Sequence, residues 1–568
     1  MLLTKYVENF NKESPLQEYP RPQLVRDSYI NLNGRWDFTI SKSEEFPKSY
    51  DEVITVPYCV ESYLSGINNT ISSDDYLIYR RFVTFPKKFI KDKVLLHFDA
   101  VDQHAKVFVN KKLVAESTNG YLPFKVDIKH ALIEGEDAEI IVIVKDALDH
   151  KYPYGKQRND RGGMWYTPVS GIWQTVWIES VNENYVNDLT ITPDIDNNKA
   201  TIVVDTCSPS VTLKVSFKGK TIYKETSKNT LFEINFDEVN LWDVENPNLY
   251  DIAIKTVDDE ITSYFAMRKF STNEKYLLLN NKPIFINGLL DQGYFPDGIY
   301  TPASYEAYEN DIKTMKELGF NCLRKHIKIE PMIFYHLCDK LGMIVFQDFV
   351  NNGDYSFVKD TAMPTIGLAK LAYAMKKTDK VTKQIFEKSA IDTLNYLYNV
   401  PCIGYYTIFN EGWGQHEADD YYNLVKSIEA TRIIDSTSGW FKEKESDVES
   451  LHIYFKKIKL KKANKPIVVS EYGGYALSLK DHIFNTENEY GYKKFTDIDS
   501  LNDAIYELFV RDIVGNIKNG LAGAIYTQVS DVEDETNGLF TYDRKVLKVK
   551  KEIMLKIKNM IEKEFNHD

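Results

Sequence analysis

Two carboxylates in the last third of the chain stand where they could do chemistry together. Glu411 lies within residues 408–413 (Ile-Phe-Asn-Glu-Gly-Trp), and Glu471 lies within residues 467–474 (Ile-Val-Val-Ser-Glu-Tyr-Gly-Gly). Each follows a short apolar run and precedes a glycine-bearing turn, which predicts two acids at the carboxyl ends of buried strands. Two acids that converge on one cleft can cleave an acetal, one as general acid/base and the other as nucleophile.

The bulk composition is that of an ordinary globular chain and excludes some partners. Of 568 residues, 43% are hydrophobic and 27% are charged, with a net charge of −13. This acidity argues against nucleic acid and anionic membrane surfaces, because both need a basic footprint. Aromatic residues make up 13% of the chain, which suits stacking on sugars and equally suits the filling of a β-rich core.

Three further features bear on location and cofactors. The first residues lack the apolar core of a signal peptide, and no apolar run of membrane-spanning length follows. The cysteines are odd in number and scattered, without the paired spacing of a metal site. We therefore expect a cytoplasmic protein with buried thiols and with no cofactor or metal; the cysteines are Cys59, Cys207, Cys322, Cys338 and Cys402.

The first half of the chain has the pattern of antiparallel β-sandwiches. Short β-type runs such as 94–98, 106–110 and 139–144 are separated by turns rather than by helical stretches. A break near residue 182 predicts one sandwich over residues 1–182. A second, of immunoglobulin-like size, is predicted over residues 183–272.

Strand-like and helical runs alternate over residues 273–568, which predicts a (β/α)8 barrel. Helices are predicted at 303–318, 331–341 and 380–398. The strand candidates are 284–287, 320–324, 343–347, 403–408, 432–434, 451–453, 466–469 and 522–526.

Polar and aromatic side chains recur just after these predicted strands. A packed barrel interior should be apolar, so their joint occurrence at one edge predicts a site, although each alone has an ordinary structural explanation. The two tryptophans of the barrel segment could form the floor of a sugar subsite. Besides the two acids, the candidate binding residues are Asp291, Arg324, His326, Asp348, Asn410, Trp413, Trp440, His452, Tyr454, Tyr526 and Gln528.

The chemistry of acetal cleavage assigns roles to some of them. We expect Glu411 to be the acid/base, with Asn410 donating a hydrogen bond to the sugar 2-hydroxyl, and Glu471 to be the nucleophile. Tyr454 could donate to Glu471, and Arg324 could lower its pKa by fixed positive charge. The pKa of the acid, by contrast, must be raised, by partial burial and a nearby carboxylate.

Several motifs together resemble glycoside hydrolase family 2, which includes β-galactosidases, β-glucuronidases and β-mannosidases. The similarity spans nearly the whole chain and implies an N-terminal jelly-roll, an immunoglobulin-like domain and a catalytic barrel with a retaining mechanism. In this resemblance, Asn410-Glu411 matches the acid/base motif of the family, and residues 470–472 match its nucleophile motif. The other matching segments are 21–22, 32–38, 171–177, 242–250, 321–326 and 337–342.

Departures from the family pattern concern the substrate. Tyr526 stands near a position where the family often has a subsite tryptophan, and residues 347–352 replace an Asp-Glu pattern. We find no Asn-x-Lys motif of the kind that β-glucuronidases use to hold a carboxylate. A metal requirement is not supported.

The leading hypothesis is an exo-acting β-glycosidase, most simply β-galactosidase-like. A uronide, mannoside or arabinoside is the near alternative, and a non-catalytic carbohydrate-binding protein on the same scaffold is the alternative from another class. The expected partner is a glycoside, and the resemblance adds a possible homo-oligomer.

Overall fold

The computed structural model describes residues 2–567 and begins with a β-sandwich. A four-stranded sheet, in the order β1-β12-β5-β9, faces a six-stranded sheet, in the order β3-β2-β4-β10-β7-β8; β6 and β11 form a small pair. The strands are β1 (Tyr29–Asn31), β2 (Gly34–Ser41), β3 (Glu52–Val56), β4 (Tyr76–Val83), β5 (Lys93–Phe98), β6 (Val101–Asp102), β7 (His104–Val109), β8 (Lys112–Ser117), β9 (Phe124–Asp127), β10 (Ala138–Lys145), β11 (Gly171–Ile172) and β12 (Val176–Val181).

A smaller sandwich follows, built from a three-stranded sheet (β13-β14-β17) and a four-stranded sheet (β16-β15-β18-β19). In β14, buried Ala200, Ile202 and Val204 alternate with more exposed residues, as expected of strands with one face on a core. The strands are β13 (Val186–Asp194), β14 (Lys199–Thr206), β15 (Val211–Phe217), β16 (Lys220–Ser227), β17 (Leu231–Asn235), β18 (Tyr250–Lys255) and β19 (Glu260–Phe265).

The rest of the chain is a barrel of eight parallel strands in the order β27-β26-β25-β24-β23-β32-β29-β28, preceded by a three-stranded antiparallel sheet, β20-β21-β22. All the strand candidates read from the sequence fall on these eight strands. The strands of this region are β20 (Phe270–Thr272), β21 (Leu277–Leu279), β22 (Lys282–Ile284), β23 (Ile286–Asp291), β24 (Cys322–Lys325), β25 (Ile344–Asp348), β26 (Ile403–Asn410), β27 (Ile433–Ser438), β28 (Glu449–Ile453), β29 (Ile467–Gly473), β30 (Tyr475–Leu477), β31 (Lys493–Phe495) and β32 (Leu521–Thr527).

Helices cover the outside of the barrel, and their apolar faces pack against the outward-facing side chains of its strands. The apolar face of α1, for example, buries Ile312 and Met315 in the core that the barrel strands share. The helices are α1 (Glu306–Glu317), α2 (Met332–Leu341), α3 (Met363–Thr365), α4 (Ala369–Ala374), α5 (Lys380–Leu397), α6 (Ala418–Ile428), α7 (Ile498–Leu508), α8 (Gly515–Ile517) and α9 (Lys551–His567), with π-helical turns at Phe357–Ala362 and Phe509–Val514 and 3-10 turns at Lys5–Asn9 and Lys129–Ala131.

The predicted fold class, two sandwiches and a (β/α)8 barrel, is therefore confirmed. The sequence predicted the helices at 303–318, 331–341 and 380–398, and the structure has α1, α2 and α5 there, with ends that differ by no more than a few residues. Within residues 2–567, none of the helices combines the length and the apolar character needed to cross a bilayer.

The barrel closes through side chains at one place. The strands β27 and β28 are the two ends of the sheet order, so no backbone ladder joins them. Instead, the Ser438 hydroxyl lies 2.8 Å from Nε2 of His452 and 3.4 Å from the Ser450 hydroxyl, and both serines bond the Ser470 hydroxyl, at 2.9 and 2.6 Å. We call this line of hydroxyls, Ser438, Ser450 and Ser470, the serine seam.

A buried ion cluster joins the two sandwiches. Glu179 on β12 is fully buried and accepts from Arg21 at 3.0 Å and from Arg26 at 2.9 Å. Arg26 also pairs with Asp259 at 2.9 Å, close to the start of β19. Burial alone would raise the pKa of Glu179, but the arginines and His97 hold it well below its ordinary value. The ionised carboxylate therefore ties the end of the first sandwich to the second.

Replacing Glu179 by Ala should strongly destabilise the protein, because it leaves Arg26 as a buried cation with one partner fewer. We expect a loss of about 3–5 kcal/mol in the free energy of unfolding, measured by denaturant unfolding at neutral pH. Glu183→Ala is the matched control, since Glu183 forms an ion pair with Lys93 at 3.3 Å but is 63% exposed. Equal effects of the two substitutions would contradict the account.

Candidate active site

The site is organised around one buried guanidinium at the carboxyl end of the barrel. Arg324, 1% exposed, is the next-to-last residue of β24 and donates from Nε to both oxygens of Asp348, at 3.0 and 3.1 Å. Its Nη1 donates to the Ser470 carbonyl at 2.9 Å and to Oε1 of Glu471 at 3.1 Å, and its Nη2 donates to Oδ1 of Asn410 at 2.8 Å. One side chain thus fixes the ends of three other strands.

His452 stands between the two acids that the sequence singled out. Its Nδ1 lies 2.8 Å from Oε1 of Glu411, and its Nε2 lies 2.8 Å from the Ser438 hydroxyl and 3.6 Å from Oε1 of Glu471. One carboxylate oxygen of each glutamate and one ring nitrogen of His452 lie within 4.8 Å of one another. The imidazole therefore links both acids on the side of the serine seam.

Glu471 is held as an anion. Tyr454 donates a short hydrogen bond to Oε2, while Arg324 donates to Oε1. Burial would raise the pKa of Glu471, but the charges of His452 and Arg324 outweigh it, and the pKa falls to about 2. His326 and Lys156 add smaller contributions in the same direction. A buried carboxylate that stays ionised at every physiological pH can act as a nucleophile.

Glu411 adopts a backbone conformation that few side-chain-bearing residues use. Its φ is +51°, directly after the last residue of β26, and its backbone N–H donates to the Ser438 carbonyl at 2.9 Å. The left-handed region costs a non-glycine residue free energy, and such strain collects at functional sites. The turn continues through Gly412, where an added Cβ would lie 2.1 Å from the Phe441 ring. This turn directs the half-buried Glu411 carboxylate towards His452.

His326 and Asp348 complete the hydrogen-bond network around Arg324. Nδ1 of His326 lies 2.7 Å from Oδ2 of Asp348, and both side chains are 1% exposed. Burial, and then the charge of Lys156, lower the pKa of His326, although Asp348 opposes the shift. Burial would raise the pKa of Asp348, but Arg324 and His326 lower it. Asp348 is therefore the fixed countercharge of Arg324.

The two barrel tryptophans lie at the rim of the network in different settings. Trp413 is buried and stacks on Trp165, which comes from the first sandwich, with ring centroids 4.8 Å apart. Trp440 is half-buried, donates to the Asp360 carbonyl at 2.9 Å and has its ring 6.0 Å from that of His452. Both remain candidates for contact with a sugar.

The structure places two of the sequence-derived candidates away from this network. Asp291 accepts from Lys325 at 2.6 Å and lines a small cavity beneath α1, on the helix side of the barrel wall. Tyr526 packs on Phe509 and Tyr472, also towards the helices. Alternate residues of a strand face opposite sides, so a residue next to an inward-facing one points outward. On this geometry neither reaches Glu411 or Glu471.

Gln528 belongs to a polar group at the mouth of the barrel. Its Nε2 donates to Oε2 of Glu535 at 3.2 Å and to Oδ1 of Asn537 at 2.8 Å. Glu535 also accepts from Tyr166 of the first sandwich. Burial raises the pKa of Glu535, and Lys156 is the largest influence lowering it. The loop after β32 thus meets the first sandwich beside the acids.

Several members of this region were not identified from the sequence. Lys156 and Tyr166 come from residues 146–170, the long connection between β10 and β11, and Glu535 comes from an acidic loop. The one available signal was the length of that connection, because loops of more than about 15 residues are often functional. The serine seam had no signal at all in the sequence.

A metal ion is a second possible use for Glu411, His452 and Glu471, whose ligand atoms converge within 4.8 Å. Each of those groups already has protein partners: Arg324 and Tyr454 for Glu471, the serine seam for His452, and His452 itself for Glu411. Hydrogen bonds therefore account for the cluster without an ion.

The fold and site define a class: a multidomain protein with a (β/α)8 barrel and two close acids at its carboxyl end. Three family descriptions match in turn: "Glycosyl hydrolases family 2, sugar binding domain" over residues 29–181, "Glycosyl hydrolases family 2" over 184–268, and "Glycosyl hydrolases family 2, TIM barrel domain" over 270–562. The chain belongs to glycosyl hydrolase family 2.

Relatives with curated descriptions fall into two groups. A β-galactosidase of Thermoanaerobacter pseudethanolicus is 25% identical over 355 residues, covering 56% of this chain and 46% of that protein. A β-glucuronidase of Streptococcus agalactiae is 22% identical over 520 residues, covering 81% and 84%. The chain thus spans about half the length of the first relative and most of the second.

Solved structures share the architecture over nearly the whole chain. The β-D-glucuronidase of Dictyoglomus thermophilum superimposes with a TM-score of 0.75 at 17% identity, covering 96% of this chain and 98% of that one. A β-galacturonidase from Eisenbergiella tayi, bound to galacturonate, gives a TM-score of 0.68 at 19% identity, covering 95% and 98%. At these identities the likeness shows the fold.

Removing the guanidinium should destabilise the protein in a pH-dependent way. In Arg324→Met, Asp348 and Glu471 lose their countercharge, and we expect a loss of about 3–5 kcal/mol in the free energy of unfolding at pH 7. Carboxylates with lowered native pKa values stabilise the fold above their unfolded pKa of about 4, and this contribution disappears as the pH falls through the native values.

The difference between wild type and Arg324→Met should therefore shrink as the pH falls from about 5 towards 2. Denaturant unfolding at pH 7 and at pH 3.5 measures it. Arg35→Met is the control, because Arg35 is 43% exposed and pairs with the exposed Glu13. A gap between wild type and Arg324→Met that is independent of pH would contradict the assigned countercharge.

Proposed function

We propose that the protein is a retaining exo-β-glycosidase that cleaves terminal β-linked sugars by double displacement. The observation that carries the proposal is the separation of the two acids, with one oxygen of Glu411 and one of Glu471 within 4.8 Å. Retaining enzymes hold their carboxyl groups about 5–5.5 Å apart, whereas inverting enzymes need roughly 6.5–9.5 Å to admit a water molecule.

In the first step, Glu471 attacks the anomeric carbon while Glu411 protonates the departing oxygen. The hydrogen bonds from Tyr454 and Arg324 keep Glu471 ionised and orient it. Its C–O bond to the sugar forms as the glycosidic C–O bond breaks, which gives a covalent glycosyl-enzyme. In the second step Glu411, now a carboxylate, takes a proton from water, and the water oxygen displaces Glu471.

Asn410 has a geometry suited to the role proposed for it. Because its Oδ1 accepts from Arg324, the amide NH2 group remains as the donor. A donor fixed beside the acid/base can bond the sugar 2-hydroxyl, an interaction that strengthens in the transition state. His452 is hydrogen-bonded to Glu411 through Nδ1 and to Ser438 of the serine seam through Nε2. It can therefore keep the Glu411 carboxyl group oriented in both steps.

The names of the relatives do not favour one glycone, because they divide between β-galactosidases and glycuronidases. A β-galactosidase-like specificity therefore stands beside a uronide specificity at this stage. The non-catalytic alternative draws no support from the site, in which both acids are present and close together.

The two acids should fail in different ways when each is changed to glutamine. Glu411→Gln should lose turnover of alkyl glycosides, whose leaving groups need protonation, while keeping more activity on nitrophenyl glycosides. Glu471→Gln should lose both by about 10⁴-fold or more, because no covalent intermediate can form. Initial rates on a panel of nitrophenyl and methyl α- and β-glycosides measure this, and equal losses in both variants would refute the role assignment.

The stereochemistry of the first product gives an independent check. Proton NMR during hydrolysis of an active nitrophenyl β-glycoside should show the β-anomer of the free sugar appearing first, with the α-anomer following by mutarotation. First appearance of the α-anomer would indicate inversion and would exclude Glu471 as a nucleophile.

A further inference from the structure

We propose that Lys156, which the first sandwich contributes to the barrel mouth, binds the carboxylate of a hexuronide glycone, so that the substrates are β-glycuronides. The inference rests on the proposed function above and adds the identity of the sugar. It also assigns to a residue of the first sandwich the task of holding the substrate carboxylate.

The first observation is that Lys156 differs from the other buried lysines of the described residues. Lys325 pairs with Asp291 at 2.6 Å, Lys328 with Glu330 at 3.0 Å and Lys548 with Asp531 at 2.6 Å. Lys156 is also buried, at 7% exposed against 0–1% for those three, but within residues 2–567 its ammonium makes no hydrogen bond and no ion pair. A cation in a largely buried position that lacks a counter-ion would gain from pairing with a bound anion.

The second observation is the position of the ammonium. Nζ of Lys156 lies 5.2 Å from the centre of the Trp413 ring, two residues beyond the acid/base Glu411. The charge of Lys156 lowers the pKa values of Glu471, His326 and Glu535, which places it among these three side chains. None of them is within ion-pair distance, so the ammonium is free to meet a ligand bound beside the nucleophile.

The third observation is that the segment carrying Lys156 is rigidly held. Gln157 donates to Oδ2 of Asp102 at 2.8 Å and to the Tyr121 hydroxyl at 2.9 Å, and its Oε1 accepts from the backbone of Val169 at 2.7 Å. Gly155, with φ +62°, brings the backbone so close to the barrel that an added Cβ would lie 3.0 Å from the Ile327 carbonyl. The ammonium is thus preorganised against the loop that follows β24.

A neutral hexose would leave this charge unpaired, because its hydroxyls supply acceptors without a negative charge. The carboxylate of a hexuronide supplies hydrogen-bond acceptors and a negative charge at a single position on the ring. A fixed lysine ammonium is a compact charge that can pair with it. Two hexuronides, the glucuronide and the galacturonide, share this chemistry and differ at the 4-hydroxyl, so a substrate panel distinguishes them.

The test compares uronide and neutral substrates in matched variants. Wild type, Lys156→Met, Lys156→Arg and the control Lys151→Met are assayed on nitrophenyl β-D-glucuronide, galacturonide, glucoside and galactoside. Lys151 is exposed on the same connection. In Lys156→Met we expect kcat/KM for the preferred uronide to fall by about 100-fold, mainly through KM, because a desolvated charge pair is lost.

In Lys156→Met the fall in kcat/KM on neutral glycosides should be much smaller than the fall on the uronide. Lys156→Arg should recover part of the uronide activity, and Lys151→Met should resemble wild type. A uronide-to-neutral ratio unchanged in Lys156→Met would overturn the inference. So would an equal loss on both substrate types with a shifted acid limb of the pH profile, since Lys156 would then act only on Glu471.

Failure of the proposed function has a different signature. Glu471-dependent hydrolysis of a neutral glycoside without any uronide turnover would retain the proposed function and overturn this inference. If no glycoside is hydrolysed, calorimetric titration with D-glucuronate, D-galacturonate and D-glucose decides: binding of a uronate that Lys156→Met abolishes supports the inference, and absence of uronate binding to wild type overturns it.

Discussion

The structure of the site depends on a single cation, the Arg324 guanidinium, buried where the barrel strands end. Its five N–H groups are a fixed fork, and here they meet the ends of β25, β26 and β29. A charge buried this deeply is tolerable only when it is paired, so Asp348 and Glu471 must be present and ionised. The same pairing that makes the charge stable also keeps Glu471 ionised, as the proposed nucleophile must be.

The other residues of the site give Glu471 and Glu411 different surroundings. Glu471 is surrounded by donors and cations, whereas Glu411 stands on a left-handed turn with His452 as its neighbour. Two chemically identical side chains therefore reach different environments, which is how one pair of glutamates can divide acid/base and nucleophilic roles. The division follows from strand ends and one strained turn.

The sequence was sufficient for the barrel and for the position of the two candidate acids, because β-branched runs ending in polar residues report both a strand and its carboxyl end. It could not decide which way a side chain faces when a strand boundary is uncertain by one residue, as at Asp291 and Tyr526. It also could not bring Lys156 to Glu471, since that meeting depends on how one domain docks on another.

The serine seam gives the barrel one joint that differs in kind from the others. Seven neighbouring strand pairs are held by backbone ladders, whose spacing hardly varies, while β27 and β28 meet through hydroxyl rotors and an imidazole. The distance between β27 and β28 therefore depends on side-chain hydrogen bonds, which can adjust. An alcohol side chain can exchange its hydrogen-bond partner by turning about one bond, so this joint can adjust without breaking any main-chain hydrogen bond.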